Sequence, residues 1–247
     1  MIELKNIYKS FDTKAVLEDV SVNFQPGKTS LIIGGSGSGK TTLLKCMVGL
    51  HEVDAGEILY SGEDFTKLDF KERIPIRKEI GMLFQSSALF DSMNVEENLL
   101  FPLNMFSDMS NSEKSDRVDF CLKRVNLENV RKLAPSELSG GMKKRVGIAR
   151  AIAMQPKYLF CDEPNSGLDP KTSIVIDNLI KEITEEYNIT TVVNTHDMNS
   201  VMEIGDFIMF LHKGKKWWEG TNEEIRHTDN KEVNEFVYAS KFMRMQL

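Results

Sequence analysis

The sequence is poor in the features that identify secreted, metal-binding and membrane-spanning proteins. It has three cysteines in 247 residues; they are odd in number, far apart and not in a metal-ligand spacing. No run approaches the roughly 18 apolar residues needed to cross a bilayer, and the first residues alternate in polarity instead of forming a secretory signal. These absences predict a chain with reduced thiols that is cytosolic or held at a membrane by another protein.

A surplus of basic residues is also missing. Lys and Arg number 31 against 37 Asp and Glu, a net charge of −6, which leaves no broad basic surface for nucleic acid. We therefore expect no nucleic-acid partner. The length and the 41% hydrophobic fraction suit one α/β domain, or a core with a subdomain.

The apolar pattern predicts an α/β fold. Alternation near the start, around Ile2 and Val20, indicates half-buried strands, whereas the continuous apolar runs at residues 30–33, 158–161 and 191–193 indicate strands buried in a parallel sheet. The middle of the chain, about residues 86–155, has few strand-like runs and reads as an inserted helical subdomain. Within it, Ser110 and Glu113 predict a capping box at a helix start.

A phosphate-binding loop follows the first buried run. Residues 34–41 match GxxxxGK[ST] between a predicted strand and a predicted helix, where glycine amides and the helix N-terminus attract phosphate. Lys40 would act on the outer phosphates, Thr41 on Mg²⁺ and Thr42 on an inner phosphate. A GTPase is not favoured, because no Asp of the chain has Gly three residues later. The predicted nucleotide-binding residues are Gly34, Gly35, Ser36, Gly37, Ser38, Gly39, Lys40, Thr41 and Thr42.

Two adjacent acids, Asp162 and Glu163, end a buried apolar run. Successive strand residues face opposite sides, so the two carboxylates are expected to take different roles. Asp162 is placed to hold Mg²⁺, directly or through water. Glu163, just before Pro164, is placed to act as general base on the water that attacks the γ-phosphate.

The order of the motifs resembles that of the nucleotide-binding subunit of ABC ATPases over nearly the whole chain. After the phosphate loop come Gln85, Leu-Ser-Gly-Gly at residues 138–141, the acidic pair, Ser-Gly-Leu-Asp at 166–169 and Asn-Thr-His-Asp at 194–197. The resemblance implies an α/β P-loop NTPase with a RecA-like parallel sheet, N-terminal antiparallel strands and a helical subdomain. It implies ATP and Mg²⁺ as cofactors and ATP hydrolysis as the activity.

The resemblance also implies that two copies of the chain complete each site. In the family, the residues Ser139, Gly140 and Gly141 bind ATP held by a second copy, a role that suits a helix N-terminus with free amides. Asp169 corresponds to an acid at the dimer interface. The expected assembly is a homodimer around two ATP molecules.

Further residues of the site within one chain follow from the same resemblance. His196 would donate a hydrogen bond to the γ-phosphate, and Gln85 would sense Mg²⁺ and connect it to the helical subdomain. Phe11 stands where the family stacks an aromatic ring on adenine, with Val16 nearby. A core position for Phe11 is the alternative, because aromatic residues in early strands are commonly buried.

Departures from the ABC ATPase pattern help to narrow which group of these ATPases the chain resembles. Met142 replaces the glutamine that usually closes the signature, and Asn165 stands where Thr or Ser is common. Together with residues 89–95, Met142 resembles the ATPase of Mla-type phospholipid transporters. That resemblance implies integral membrane permease subunits, an MCE-type lipid-binding protein and a peripheral location on the cytoplasmic face of a Gram-negative inner membrane. The alternative is a soluble ABC ATPase of an assembly pathway, such as iron–sulfur cluster assembly, without a permease.

The predicted domains are an ABC ATPase domain at residues 1–222 and a C-terminal extension at residues 223–247. A short apolar stripe at Val233, Phe236 and Val237 lies in the extension. Two interpretations of this stripe stay open: it reaches the neighbouring ATPase, or it docks on its own domain.

Overall fold

Two β-sheets and their surrounding helices make up residues 1–238, the part of the chain described by a computed structural model. The strands are β1 Ile2–Phe11, β2 Lys14–Phe24, β3 Thr29–Ile33, β4 Ala55–Tyr60, β5 Glu63–Asp64, β6 Ile80–Leu83, β7 Tyr158–Asp162, β8 Thr190–Asn194, β9 Phe207–His212 and β10 Lys215–Gly220. The helices are α1 Lys40–Met47, α2 Ile74–Lys78, α3 Val95–Phe106, α4 Asn111–Arg124, α5 Gly140–Ile152, α6 Pro170–Glu186, α7 Met198–Ile204 and α8 Lys231–Val237.

The two sheets differ in strand direction. The first has the order β2-β1-β4-β5 and is antiparallel. The second has the order β10-β9-β3-β8-β7-β6; its strands β9, β3, β8, β7 and β6 run parallel, and β10 pairs antiparallel at the edge. Every residue of β3, β7 and β8 is buried, as expected where helices or a second sheet cover both faces. The α/β fold with N-terminal antiparallel strands is confirmed.

The parallel sheet separates two halves of the core. Because side chains alternate along β3, Leu31 and Ile33 pack among the helices α3 to α8. Ile32 points to the other half, which is formed with α1 and the antiparallel sheet. The carboxyl ends of β3, β7 and β8 therefore meet at one edge, and the loops that leave them are held between two packed layers.

Helices α3, α4 and α5 form the inserted helical part. The capping box at the start of α4 is present, with Ser110 and Glu113 exchanging hydrogen bonds of 2.7 and 3.3 Å. A second capping box, between Asn94 and Glu97, starts α3. Pro102 lies inside α3 and obscures the helical pattern of this segment in the sequence.

Helix α8 packs against its own chain. Its N-cap is Asn230, and Val233 and Val237 are buried in the helix-side core. The remaining residues of the extension, 239–247, lie outside the described residues, and the contact with a neighbouring ATPase stays a prediction.

None of the helices in residues 1–238 is both long enough and apolar enough to span a bilayer. The three cysteines are free and buried. Burial raises the pKa of Cys161 to about 12, which keeps this thiol protonated.

Candidate nucleotide site

The phosphate loop connects the end of β3 to the start of α1. Gly34, Gly37 and Gly39 have φ values of 150°, 75° and 107°, a backbone path that turns the loop around a central space. The Lys40 ammonium donates hydrogen bonds to the carbonyl oxygens of Gly34 (2.8 Å) and Gly35 (3.1 Å). Burial lowers the pKa of Lys40, while the nearby carboxylates of the acidic pair act in the opposite direction. The loop thus holds one cation at its mouth.

Alanine at position 34 is expected to destabilise the protein before any nucleotide binds. A Cβ there would lie 2.2 Å from the backbone oxygen of Leu211, and the φ of 150° is one that other residues rarely adopt. We expect Gly34→Ala to lower the free energy of unfolding by roughly 2 kcal/mol. The measurement is denaturant unfolding without nucleotide. Gly35→Ala is the matched control, because a Cβ at that position meets nothing within 4 Å; equal losses in both variants would contradict the prediction.

A cavity of about 650 Å³ opens over the loop. It brings together parts of the chain that are far apart in sequence, from the antiparallel sheet to α8. Its lining residues are Val16, Gly34, Gly35, Ser36, Gly37, Ser38, Gly39, Lys40, Thr41, Thr42, Gln85, Glu163, His196 and Phe236. Phe236 was not predicted there; its place in the tail gave no signal of proximity to the phosphate loop.

Asp162 lies beside the loop at the end of β7 and is almost fully buried. Its Oδ1 accepts hydrogen bonds from the Thr41 hydroxyl and from the Asn194 side-chain amide, both at 3.1 Å. A hydroxyl and a carboxylate are the oxygen ligands that Mg²⁺ prefers when phosphates complete its shell. Within residues 1–238 no three His, Cys, Asp or Glu side chains converge as a metal site. The donors present therefore fit a metal shared with a phosphate.

Glu163 follows in a left-handed conformation, with a φ of 47°. This backbone turn aims its carboxylate into the cavity, where Oε1 is 3.2 Å from His196 Nδ1 and Oε2 accepts a 3.2 Å hydrogen bond from Gln85 Nε2. Residues of three separate motifs are thus in contact. Gln85 also donates to the Ser166 hydroxyl at 3.4 Å, so its amide group faces Glu163 and not the Thr41–Asp162 pair.

Two basic residues of α5, which the sequence analysis did not identify, bind the backbone of the segments that carry Gln85 and Glu163. Lys144 is buried and donates to the backbone oxygens of Gln85 and Glu163, the second at 3.2 Å. Burial lowers the pKa of Lys144. The sequence signal that could have identified Lys144 was its helical spacing, since it lies four residues before Ile148 on the apolar face of α5.

Arg150 makes the corresponding contact with the segment after Gln85. It donates to the backbone oxygens of Ser87 and Ala88, each at 2.8 Å. Both residues have positive φ, 63° and 45°, so the segment is strained where the arginine holds it. Helix α5 is therefore linked by hydrogen bonds to the segment that carries Gln85.

The signature residues do not line the cavity. Ser139 is the N-cap of α5, and its hydroxyl accepts the Met142 N–H at 3.3 Å. At Gly141 a Cβ would lie 2.5 Å from the Thr172 methyl group, so this position is closed to larger residues. Asp169 caps α6 and accepts a 2.6 Å hydrogen bond from the Thr172 hydroxyl, which with the Thr172 amide lowers the pKa of Asp169.

Phe11 also lies outside the lining residues, unlike Val16. Its ring is half-exposed and meets the His51 ring edge-on, with 5.2 Å between centroids. The Lys9 ammonium lies over the ring, 5.3 Å from its centroid, and the exposure of the residue shows that Phe11 is not part of the core.

Comparisons with known proteins identify the family of this chain. The profile of the ABC transporter family matches residues 17–166. The intermembrane phospholipid transport system ATP-binding protein MlaF of Haemophilus influenzae is 37% identical over 237 residues, which cover 96% of this chain and 90% of the relative. The methionine import ATP-binding protein MetN 2 of Bacillus cereus is 41% identical over 224 residues, covering 89% of this chain and 66% of the relative.

Among solved structures, a dimeric post-hydrolysis state of the ATP-binding cassette MJ0796, bound to ADP and Pi, is similar with a TM-score of 0.83. Its identity to this sequence is 35%, and the match covers 90% of this chain and 99% of that one. Fold, cavity and family match lead to the same conclusion: this chain belongs to the ABC transporter family and is an ATPase subunit with the ABC cassette form of the P-loop NTPase fold.

Proposed function

We propose that this chain is the ATP-hydrolysing subunit of a phospholipid transporter, and that it works as a homodimer around two ATP–Mg²⁺ groups. The observation that carries the dimer is that one chain gathers the phosphate loop, Glu163 and His196 in one cavity but leaves Ser139 outside it. A helix N-terminus of this kind suits the phosphate of another subunit's ATP. The similar cassette MJ0796 is a dimer when bound to ADP and Pi, which supports a dimer for this chain.

The surface that would meet the partner is continuous. Gly140 lies next to Leu168, with 3.5 Å between a Cβ built at Gly140 and the leucine methyl carbon, so the start of α5 and the loop 166–169 form one face. Asp169 shapes this face by capping α6. Closure of two such faces on two phosphate loops would complete both sites, and contacts to the γ-phosphate would favour the closed state only while ATP is intact.

The chemistry proposed for each site uses groups already in place. Lys40 and the loop amides would hold the phosphates, Thr41 and Asp162 would hold Mg²⁺, and Gln85 is the further residue proposed to sense the metal. When bound, Mg²⁺ neutralises charge on the β- and γ-phosphates. Glu163 would take the proton of the attacking water, and His196, whose Nδ1 lies 3.2 Å from that carboxylate, would donate to the γ-phosphate through Nε2.

Coupling to a permease is proposed through the segment from Gln85 to about Met105. Phe90, Met105 and Phe106 are exposed on it, with 40, 58 and 42% of their surface accessible. Arg150 holds the start of this segment, and Lys144 joins Gln85 to Glu163 through their backbone oxygens. A change at the γ-phosphate would therefore move this apolar surface together with α5.

Two observations favour phospholipid as the cargo. One is the 37% identity to MlaF, and the other is the resemblance of Met142 and residues 89–95 to the Mla-type ATPases. The proposal includes a permease, an MCE-type lipid-binding protein and a peripheral location on the cytoplasmic face of the inner membrane. Methionine is the competing cargo, since MetN 2 is of similar identity. A soluble assembly ATPase without a permease is the alternative from another class.

The test is purification of the complete complex from membranes of the native cell, followed by mass spectrometry of its subunits and bound lipids. The complex is then placed in vesicles with a fluorescent phospholipid. We expect permease subunits in the complex and ATP-dependent phospholipid movement, which a Lys40→Ala complex lacks. Methionine transport without phospholipid movement would overturn the cargo, and recovery only in soluble assemblies would overturn the permease.

A further inference from the structure

Three polar side chains from three segments meet behind the loop that carries Glu163. Asn165 Nδ2 donates to Asp177 Oδ1 of α6 at 2.8 Å and to Ser200 Oγ of α7 at 3.1 Å. Ser200 in turn donates its hydroxyl to Asp177 Oδ2 at 2.8 Å. The contacts close a ring, hereafter the Asn165–Asp177–Ser200 ring.

The ring includes a carboxylate that is costly to bury. Asp177 and Ser200 are 2% and 1% exposed. Burial, together with the negative charges of Asp197 and Glu203, raises the pKa of Asp177 to about 6, although the hydrogen bonds from Ser200 and Asn165 act to lower it. Because this pKa lies above the ordinary 3.8, the folded state binds the proton more tightly than the unfolded chain, and stability is lost as the pH rises through about 6.

The position of the ring beside the segments of Glu163 and His196 explains why the protein keeps a carboxylate that is costly to bury. Asn165 is two residues after Glu163, and Ser200 is four residues after His196. The ring therefore joins the two segments whose side chains meet at 3.2 Å in the cavity. The choice of Asn also follows, because the Thr or Ser common at this position has one hydroxyl donor, whereas the Asn amide supplies both donors that the ring uses.

We propose that the Asn165–Asp177–Ser200 ring is a positioning device for hydrolysis, which holds the Glu163 loop and the His196 segment in catalytic register. None of the three residues touches the nucleotide cavity. The ring acts through Glu163 and His196, so this inference rests on the roles proposed for them. Its effect should fall on the chemical step and not on ATP binding.

The test is Asp177→Asn, which keeps the side-chain size but replaces one of the two acceptor oxygens with an NH₂ group that can only donate. At about pH 7.5 we expect kcat to fall about tenfold with KM for ATP unchanged. The melting temperature should not fall, because the substitution also removes the buried charge. Asp116→Asn, at an exposed position of α4, is the matched control. Asn165→Ala is the second variant and should lower kcat in the same way.

The pH dependence of kcat gives a second readout, which would not change if the ring had a merely structural role. Below about pH 6 the wild-type Asp177 is itself protonated, so the ratio of wild-type to Asp177→Asn kcat should shrink toward one. Unchanged kcat at neutral pH, a loss explained by the folded fraction, or an effect on KM alone would overturn the proposal. Glu163→Gln, assayed in parallel, tests the role of Glu163 itself, so failure of the ring and failure of the catalytic assignment are distinguishable.

Discussion

Replacing Glu163 by glutamine is expected to lower ATP turnover at least about 100-fold while ATP binding is retained. Glutamine has the same size and keeps hydrogen-bonding atoms toward His196 and Gln85, but it cannot take a proton from the attacking water. Because hydrolysis is what releases the closed state, the variant should accumulate as an ATP-loaded dimer. Phosphate release measures the first effect, and size-exclusion chromatography with and without ATP measures the second.

Glu128→Gln is the control for this experiment, since Glu128 is exposed and distant in sequence from every site residue. It should hydrolyse ATP at the wild-type rate and dimerise only transiently. A Glu163→Gln protein that keeps the wild-type rate would refute the assignment of the general base. A variant that loses turnover but stays monomeric with ATP would leave the base assignment intact and contradict the dimer mechanism.

Mixing two inactive variants is expected to restore hydrolysis. Lys40→Ala removes the phosphate-loop cation, and Ser139→Arg blocks the signature, so either variant alone has two defective sites per dimer. In a mixed dimer both defects fall in one site, and the other combines an intact phosphate loop with an intact signature. With random pairing, half of the dimers are mixed, so about a quarter of all sites should be complete.

The design separates a shared site from a self-contained one. If each chain hydrolysed ATP with its own residues, mixing would give only the average of the two inactive rates. Mixing Lys40→Ala with Lys40→Arg is the control, since both defects lie on the same side and no complete site forms. Rates are measured by phosphate release after the chains have exchanged. Absence of any recovery in demonstrably mixed dimers would contradict the shared site.

The residues proposed to bind the phosphates could be predicted from the sequence because they are close together along the chain. Residues 34–41 are one loop, and its shape depends on glycines that the sequence displays directly. The same holds for Asp162 and Glu163 at the end of a fully apolar strand. The buried strands β3, β7 and β8 were equally visible, since a strand covered on both faces is a continuous apolar run.

Shorter and mixed elements gave weaker signals. Strand β10, Lys215–Gly220, is an edge strand with alternating exposure and two tryptophans, and the charged residues around it hide its pattern. Helix α3 contains Pro102, which local propensity treats as a helix breaker. In both cases tertiary packing overrides a local preference.

By itself the sequence determined the family, the phosphate loop, the acidic pair and the order of the motifs, since each depends on neighbours in the chain. Only the tertiary structure decided that Lys144 and Arg150 hold the Gln85 segment, that Phe236 reaches the cavity and that Asn165 closes a ring with Asp177 and Ser200. The physical reason is that these contacts join residues far apart in sequence. Their energies depend on burial and on donor–acceptor distances, which exist only once the helices are packed on the sheet.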